Sequence, residues 1–284
     1  MSQTRSQPGG GRNRHGPLPI TLAWGVHFYT ALGLVASAII AVLIFHGTGD
    51  AFRWAFVLMM VAVLIDATDG TLARAAHVKE VLPNFDGRRL DDLIDFVNYT
   101  CLPLLLLWRS QLLPPGQEFW LLLPLLASAY GFCQAAAKTD DGYFLGFPSY
   151  WNLIVFYLYI LQPLSGWVSV AMLAGFAVLT FVPVRYLYTT QRGRLNRLTN
   201  ILAGAWAGLA LYILWLLPDE QLTPASDPDT LVHRLALYSL FFPVYYMLAS
   251  WGVTWRIWRR RKRAPGANAT GLADPLRPAL ATDE

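Results

Sequence analysis

At 284 residues, with 55% hydrophobic and only 14% charged side chains, the chain is too apolar for a soluble domain, where about a quarter of residues are charged. A mean hydropathy of +0.39 points the same way. The net charge of +4 reads as a signal of membrane orientation and not of a nucleic-acid partner, and two cysteines inside apolar runs, Cys101 and Cys133, argue against a disulfide framework.

In chain order, residues 1–17 are polar and rich in Gly and Pro, and they read as a disordered cytoplasmic tail. The apolar run that follows is too long and too late for a cleaved signal peptide. A membrane span needs about 20 mostly apolar residues. Segments 26–46, 51–74, 90–113, 118–137, 148–163, 166–188, 198–217 and 231–255 meet this approximately, the fifth being short. Turn formers separate them at HGTGD, PPGQ, KTDDGYF, QPLSG and PDEQLTPASDPD. The expected fold is all-α: one integral membrane bundle over 18–257 with about eight transmembrane helices, followed by a basic and then disordered tail at 258–284.

With both termini on one side, every Lys and Arg except Arg53, Arg109 and Arg234 falls on that side. The positive-inside rule makes it the cytoplasm, which predicts a multi-pass protein of a bacterial inner membrane. The loop 218–230, with Asp219, Glu220, Asp227 and Asp229 and no Lys or Arg, suits the outside. The run RRRKR beside the last span reads as an anionic-lipid contact, not a nucleic-acid site.

The second span ends in the cytoplasm with Asp66, Asp69, Gly70, Ala73 and Arg74 at i, i+3, i+4, i+7 and i+8, one face of a helix. The third begins with Gly87, Asp91 and Asp95, spaced by four and again on one face. Two helices joined at the inner side bring four carboxylates together, where they repel unless cations separate them. All-oxygen ligands favour Mg²⁺ or Mn²⁺, and two such ions can clamp a phosphate or pyrophosphate. Gly70 and Ala73 leave room for a ligand beside the backbone, and Arg74 can pair with a phosphate oxygen. Asp92 points elsewhere and reads as solvated.

The pattern D-x2-D-G-x2-A-R followed by G-x3-D-x3-D resembles the CDP-alcohol phosphatidyltransferases. Here it is Asp66-Ala-Thr-Asp69-Gly70-Thr-Leu-Ala73-Arg74 and Gly87-Arg-Arg-Leu-Asp91-Asp-Leu-Ile-Asp95. The intervening AAHVKEVLPNFD is longer than the family's usual spacing and is expected to lengthen the cytoplasmic loop without disturbing either face. With DFVNYTCLP, GFPSYWN and FVPVRYLY, it is similar to the choline-using bacterial branch.

The resemblance implies transfer of a phosphatidyl group from CDP-diacylglycerol to choline, giving phosphatidylcholine and CMP, by a homodimer. It implies that Asp66, Asp69, Asp91 and Asp95 hold two divalent ions, Mn²⁺ or Mg²⁺, with Asp95 also the general base. Asp66, Asp69, Gly70, Ala73, Arg74 and Gly87 would cradle the nucleotide and its phosphates. A quaternary ammonium is held by aromatic faces, so Tyr99, one turn beyond Asp95, together with Trp151 and Tyr186 near span ends, are the candidate choline contacts. His77 and Lys79 in the loop read as solvated. Two alternatives stay open. A sister transferase using serine or a polyol would need a partner for a carboxylate, such as Arg185. A choline or cation transporter would place its site near the midplane, whereas these aspartates lie at the inner edge and no inverted repeat is visible.

Overall fold

The computed structural model describes residues 16–134, 139, 142–162, 165–187, 194–217 and 229–263. Residues 1–15 and 264–284 of the expected tails, and 218–228 of the acidic loop, lie outside these. The described chain is a helical bundle with one small β-ribbon. Four helices are long and apolar enough to cross a membrane: Pro17–His46, Gly49–Ala75, Leu195–Leu216 and Leu231–Arg260.

The first two form a hairpin. α1 (Pro17–His46) ends at Gly47, whose φ of 65° is the left-handed conformation a helix terminus needs, and whose N–H donates to Leu43 O at 3.2 Å. Thr48 then caps α2 (Gly49–Ala75), its hydroxyl accepting from Ala51 N at 3.2 Å.

The connection after α2 is not an open loop. Within it α3 (Val78–Val81) turns back, and Val78 and Val81 bury against Ala23 of α1, with Ala73 of α2 packed alongside. Phe85 lies 4.3 Å from the His27 ring and 5.2 Å from Trp24, centroid to centroid. The long insert thus folds onto the start of α1, which the sequence reading treated as mere loop length.

The expected third span runs helically from α4 (Gly87–Phe96) through a π-helical turn, Val97–Cys101, into α5 (Leu102–Arg109). Beyond it, α6 (Leu122–Cys133) packs with α8 (Gly166–Phe181). Between these two comes α7 (Trp151–Leu161), 11 residues long and buried nearly all round. At 1.5 Å per residue it covers about half of a hydrocarbon core. The short fifth span expected at 148–163 is therefore corrected: its helix, α7, is too short to cross and lies at the centre of the core. Phe52 and Phe56 of α2 meet Tyr159 and Phe156 edge-on at 5.7 and 5.6 Å.

The span expected at 166–188 is also corrected. Its helix stops at Phe181, and Arg185–Leu187 is strand β2, paired antiparallel with β1 (Tyr143–Leu145) so that Phe144 faces Tyr186. α9 (Arg194–Leu216) follows, then α10 (Leu231–Ser239) and α11 (Phe241–Arg263), which continue one another through Leu240 and together make the fourth long apolar helix. The outer edge of β2 is satisfied by α11. Arg185 N donates to Thr254 Oγ1 at 2.8 Å, Leu187 N to Ser250 Oγ at 3.3 Å, and Tyr246 Oη to Leu187 O at 3.0 Å. Non-helical backbone packed within an apolar bundle is tolerable where protein supplies such partners.

Candidate active site

Three elements build the site: the middle of α1, the end of α2, and α4 with its π turn. α1 approaches α4 closely because Gly33 has no side chain. A Cβ there would lie 2.8 Å from Ile94 Cγ2. Asn98 fixes the register. Its Nδ2 donates to Gly33 O at 3.3 Å, and its Oδ1 accepts from Ser37 Oγ at 3.0 Å. Asp86 starts α4, its carboxylate accepting from Arg89 N at 3.2 Å. Gly87 follows with the His27 ring directly against it, where a Cβ would sit.

On this frame the carboxylates converge. Ligand atoms of Asp66, Asp91 and Asp95 lie within 4.8 Å of one another. Asp69 lines the same cleft, 5% exposed, and its Oδ2 accepts from Thr30 Oγ1 of α1 at 2.8 Å. Tyr99 donates from its hydroxyl to Asp66 Oδ2 at 2.7 Å. The π turn carries this tyrosine; such turns recur at functional sites. A donor set made of carboxylate oxygens fits a hard divalent cation and has no thiolate or imidazole to favour zinc. No Lys or Arg appears among the described residues that line the cleft.

Of the other residues singled out from sequence, Arg74 is exposed at the end of α2, donating to Thr71 Oγ1 at 2.9 Å. Its guanidinium lies over Gly70, 3.5 Å from where a Cβ would sit. Ala73 packs into the small cluster around Ala23. Asp92 pairs with Arg88 at 3.8 Å. His77 pairs with Glu80 at 3.7 Å, both largely exposed.

The aromatic candidates divide. Tyr99 lines the cleft. Trp151 is fully buried, its indole N–H donating to Ser128 Oγ at 2.6 Å, and its ring packs on Phe147. Tyr186 is also fully buried, stacked with Tyr246 at 6.1 Å. Neither lines the cleft, and nor does Arg185 of β2. Thr30, Gly33 and Asn98 escaped the sequence reading. A signal existed: Thr30, Gly33 and Ser37 form a small and polar stripe at helical spacing on an otherwise apolar helix, the usual mark of a buried membrane-helix face.

Comparison with known proteins bears on this cleft. The profile of the CDP-alcohol phosphatidyltransferase family matches residues 27–182, which include every aspartate of the cleft. A phosphatidylcholine synthase of Legionella pneumophila is 41% identical over 180 residues, 63% of this chain and 68% of that protein. One from Bradyrhizobium diazoefficiens is 41% identical over 195 residues, 68% and 71% of the two chains. One from Legionella bozemanae is 36% identical over 203 residues, 69% of this chain and 93% of the relative.

Proposed function

We infer the reaction from one premise: the chain belongs to the CDP-alcohol phosphatidyltransferase family. It transfers the phosphatidyl group of CDP-diacylglycerol to choline, yielding phosphatidylcholine and CMP. The observation that carries this reading is a cleft of converging carboxylates beside an aromatic ring, in a chain whose relatives over two thirds of their length are phosphatidylcholine synthases. Choline is a cation without a carboxylate. The described cleft wall offers negative charge and a tyrosine, and no Arg or Lys for the carboxylate of serine.

Asp66, Asp69, Asp91 and Asp95 would hold the divalent cations, two ions of Mn²⁺ or Mg²⁺. Bound there, they supply charge to polarise the pyrophosphate and to stabilise departing CMP. The side chains do the rest. Asp95 accepts the proton of the choline hydroxyl as that oxygen attacks the phosphorus bearing diacylglycerol. The bond from that phosphorus to the CMP oxygen breaks, and CMP leaves as the anion. A base in contact matters because an alcohol's own pKa lies far above neutrality. Thr30 and Tyr99, by donating to Asp69 and Asp66, orient those carboxylates. Arg74, exposed at the end of α2, would meet a phosphate oxygen, and Gly70, Ala73 and Gly87 would complete the nucleotide cradle that the resemblance implies.

The charge asymmetry supports cytoplasmic termini and an inner-face site in the bacterial inner membrane. There diacylglycerol tails stay in lipid while choline and CMP exchange with water. A homodimer is the assembly the resemblance implies. Purified protein given CDP-diacylglycerol with labelled choline, serine, inositol or glycerol phosphate tests the assignment. Phosphatidylcholine is the expected product; phosphatidylserine without phosphatidylcholine would overturn it.

A further inference from the structure

Tyr99, which lines the cleft and serves the mechanism only through its hydroxyl, is the first of a row of tyrosines that runs away from the cleft. Tyr99 is buried and anchored by its hydroxyl to Asp66. Its ring centroid lies 6.3 Å from that of Tyr150, with the planes at 60°. Tyr150 meets Tyr246 at 6.0 Å and 61°, and Tyr246 stacks on Tyr186 at 6.1 Å. The row therefore runs from the acidic cleft, through the turn before α7, to α11.

Each ring is positioned by something specific. The hydroxyl of Tyr246 donates to Leu187 O at 3.0 Å and also meets the Tyr150 side chain, so α11 and β2 hold that ring as a backing. Tyr150 is presented by Ser149, a buried residue with φ of 56°. A left-handed non-glycine residue costs about 1–3 kcal/mol and persists where the surroundings enforce it, often at ligand clamps. Phe147 closes the far side of Tyr150 at 6.4 Å. Tyr150 itself is half-buried, and so more open than the rings behind it.

We propose that Tyr150, with Tyr99, forms the aromatic wall against which the quaternary ammonium of the acceptor alcohol rests. This deepens the choline reading and depends on it. A trimethylammonium group makes no ordinary hydrogen bond and gains instead from ring faces within about 6 Å. Choline's charged end lies two carbons from its hydroxyl. With that hydroxyl at Asp95, the ammonium falls about one helical turn along the same wall, where Tyr99 stands and Tyr150 adjoins it. Tyr246 and Tyr186 act as positioning residues behind Tyr150. Trp151, next in sequence, belongs to the core and not to this wall.

The test uses full-length protein in detergent with CDP-diacylglycerol and a divalent cation. Tyr150→Phe is expected to keep the KM for choline, because the ring is retained. Tyr150→Leu should raise it by about 3- to 30-fold, the range of one cation–ring contact, with the KM for CDP-diacylglycerol unchanged. The neutral isostere 3,3-dimethylbutanol separates charge recognition from packing. Wild type should prefer choline to it, and Tyr150→Leu should lose much of that preference. An unchanged KM for choline, or equal loss for both alcohols, would overturn the proposal. Should Tyr150→Leu not fold, phenylalanine at 150 carrying successive ring fluorines keeps the shape and weakens the ring face. The KM for choline should then climb with each fluorine, and a flat series overturns the proposal. If wild type makes no phosphatidylcholine at all, the reading of the reaction fails, separately from the subsite.

Discussion

Asp95 and Asp66 occupy one cleft but have different neighbours. Asp66 accepts from Tyr99, and Asp69 from Thr30. Replacing Asp95 with Asn keeps the shape and removes the proton acceptor. We expect Asp95→Asn to slow CMP release by about 10²- to 10⁴-fold, the usual contribution of a general base, with thermal unfolding in detergent close to wild type. Near-normal turnover would remove Asp95 from the base role. Tyr99→Phe isolates the other interaction. It keeps the ring and deletes the donor to Asp66, so the cation concentration giving half-maximal activity should rise about 10- to 100-fold, while the KM for choline holds. Gly87 offers a packing test. A methyl there meets the His27 ring, so Gly87→Ala should cost about 1–3 kcal/mol by overpacking, read as a lower melting temperature. Adding His27→Ala should recover part of that loss, since the obstructing ring is gone.

At the scale of elements, the two acidic faces were legible because helical spacing survives intact from Asp66 to Arg74 and from Gly87 to Asp95. Their meeting required a third element that the spacing of aspartates does not reveal. α1 reaches α4 through Gly33 and Asn98, and its Thr30 reaches Asp69 of α2. Asn98→Ala should therefore act at a distance. Losing its bonds to Ser37 and Gly33 exposes buried polar groups at about 1–3 kcal/mol and loosens α4. The expected outcome is a lower melting temperature together with weaker activation by cation. The π turn was not legible either, for VNYTC has no composition that marks it. The end of the predicted span 166–188 misled for a different reason. FVPVRYLY is apolar enough to read as helix, yet it is strand from Arg185 to Leu187, because α11 supplies hydrogen-bond partners at Ser250 and Thr254. Those partners lie more than sixty residues away, beyond the reach of any local window.

For the whole molecule, composition settled the class, an apolar and mostly helical chain, but not the number of spans: about eight were expected, and four helices of spanning length stand among the described residues. It could not settle the layering, in which the short α7 is the centre and the long α1 and α2 present broad exposed apolar faces. A helix apolar all round is buried by protein or by lipid, and hydropathy alone cannot tell which. The proposed function depends at this scale on a divalent cation. Chelation should abolish activity, and Mn²⁺ or Mg²⁺ should restore it; indifference to chelation would remove the metal from the reading. The orientation is tested by a fluorescent protein fused after Glu284, which should fold and fluoresce if that end is cytoplasmic, and stay dark if exported unfolded.

The insert between α2 and α4 has a further consequence, in the time the chain takes to be made. Val78 and Val81 rest on Ala23, and Phe85 on His27. All of these contacts, and all four aspartates, lie within the first hundred residues, so closing them requires only short loops and little entropy. Tyr150 and Tyr246 come later. On a ribosome the proposed cation-holding half of the site is therefore complete in sequence while the proposed acceptor wall is still unsynthesised, and the contacts that pin α1 can form before α7 is made.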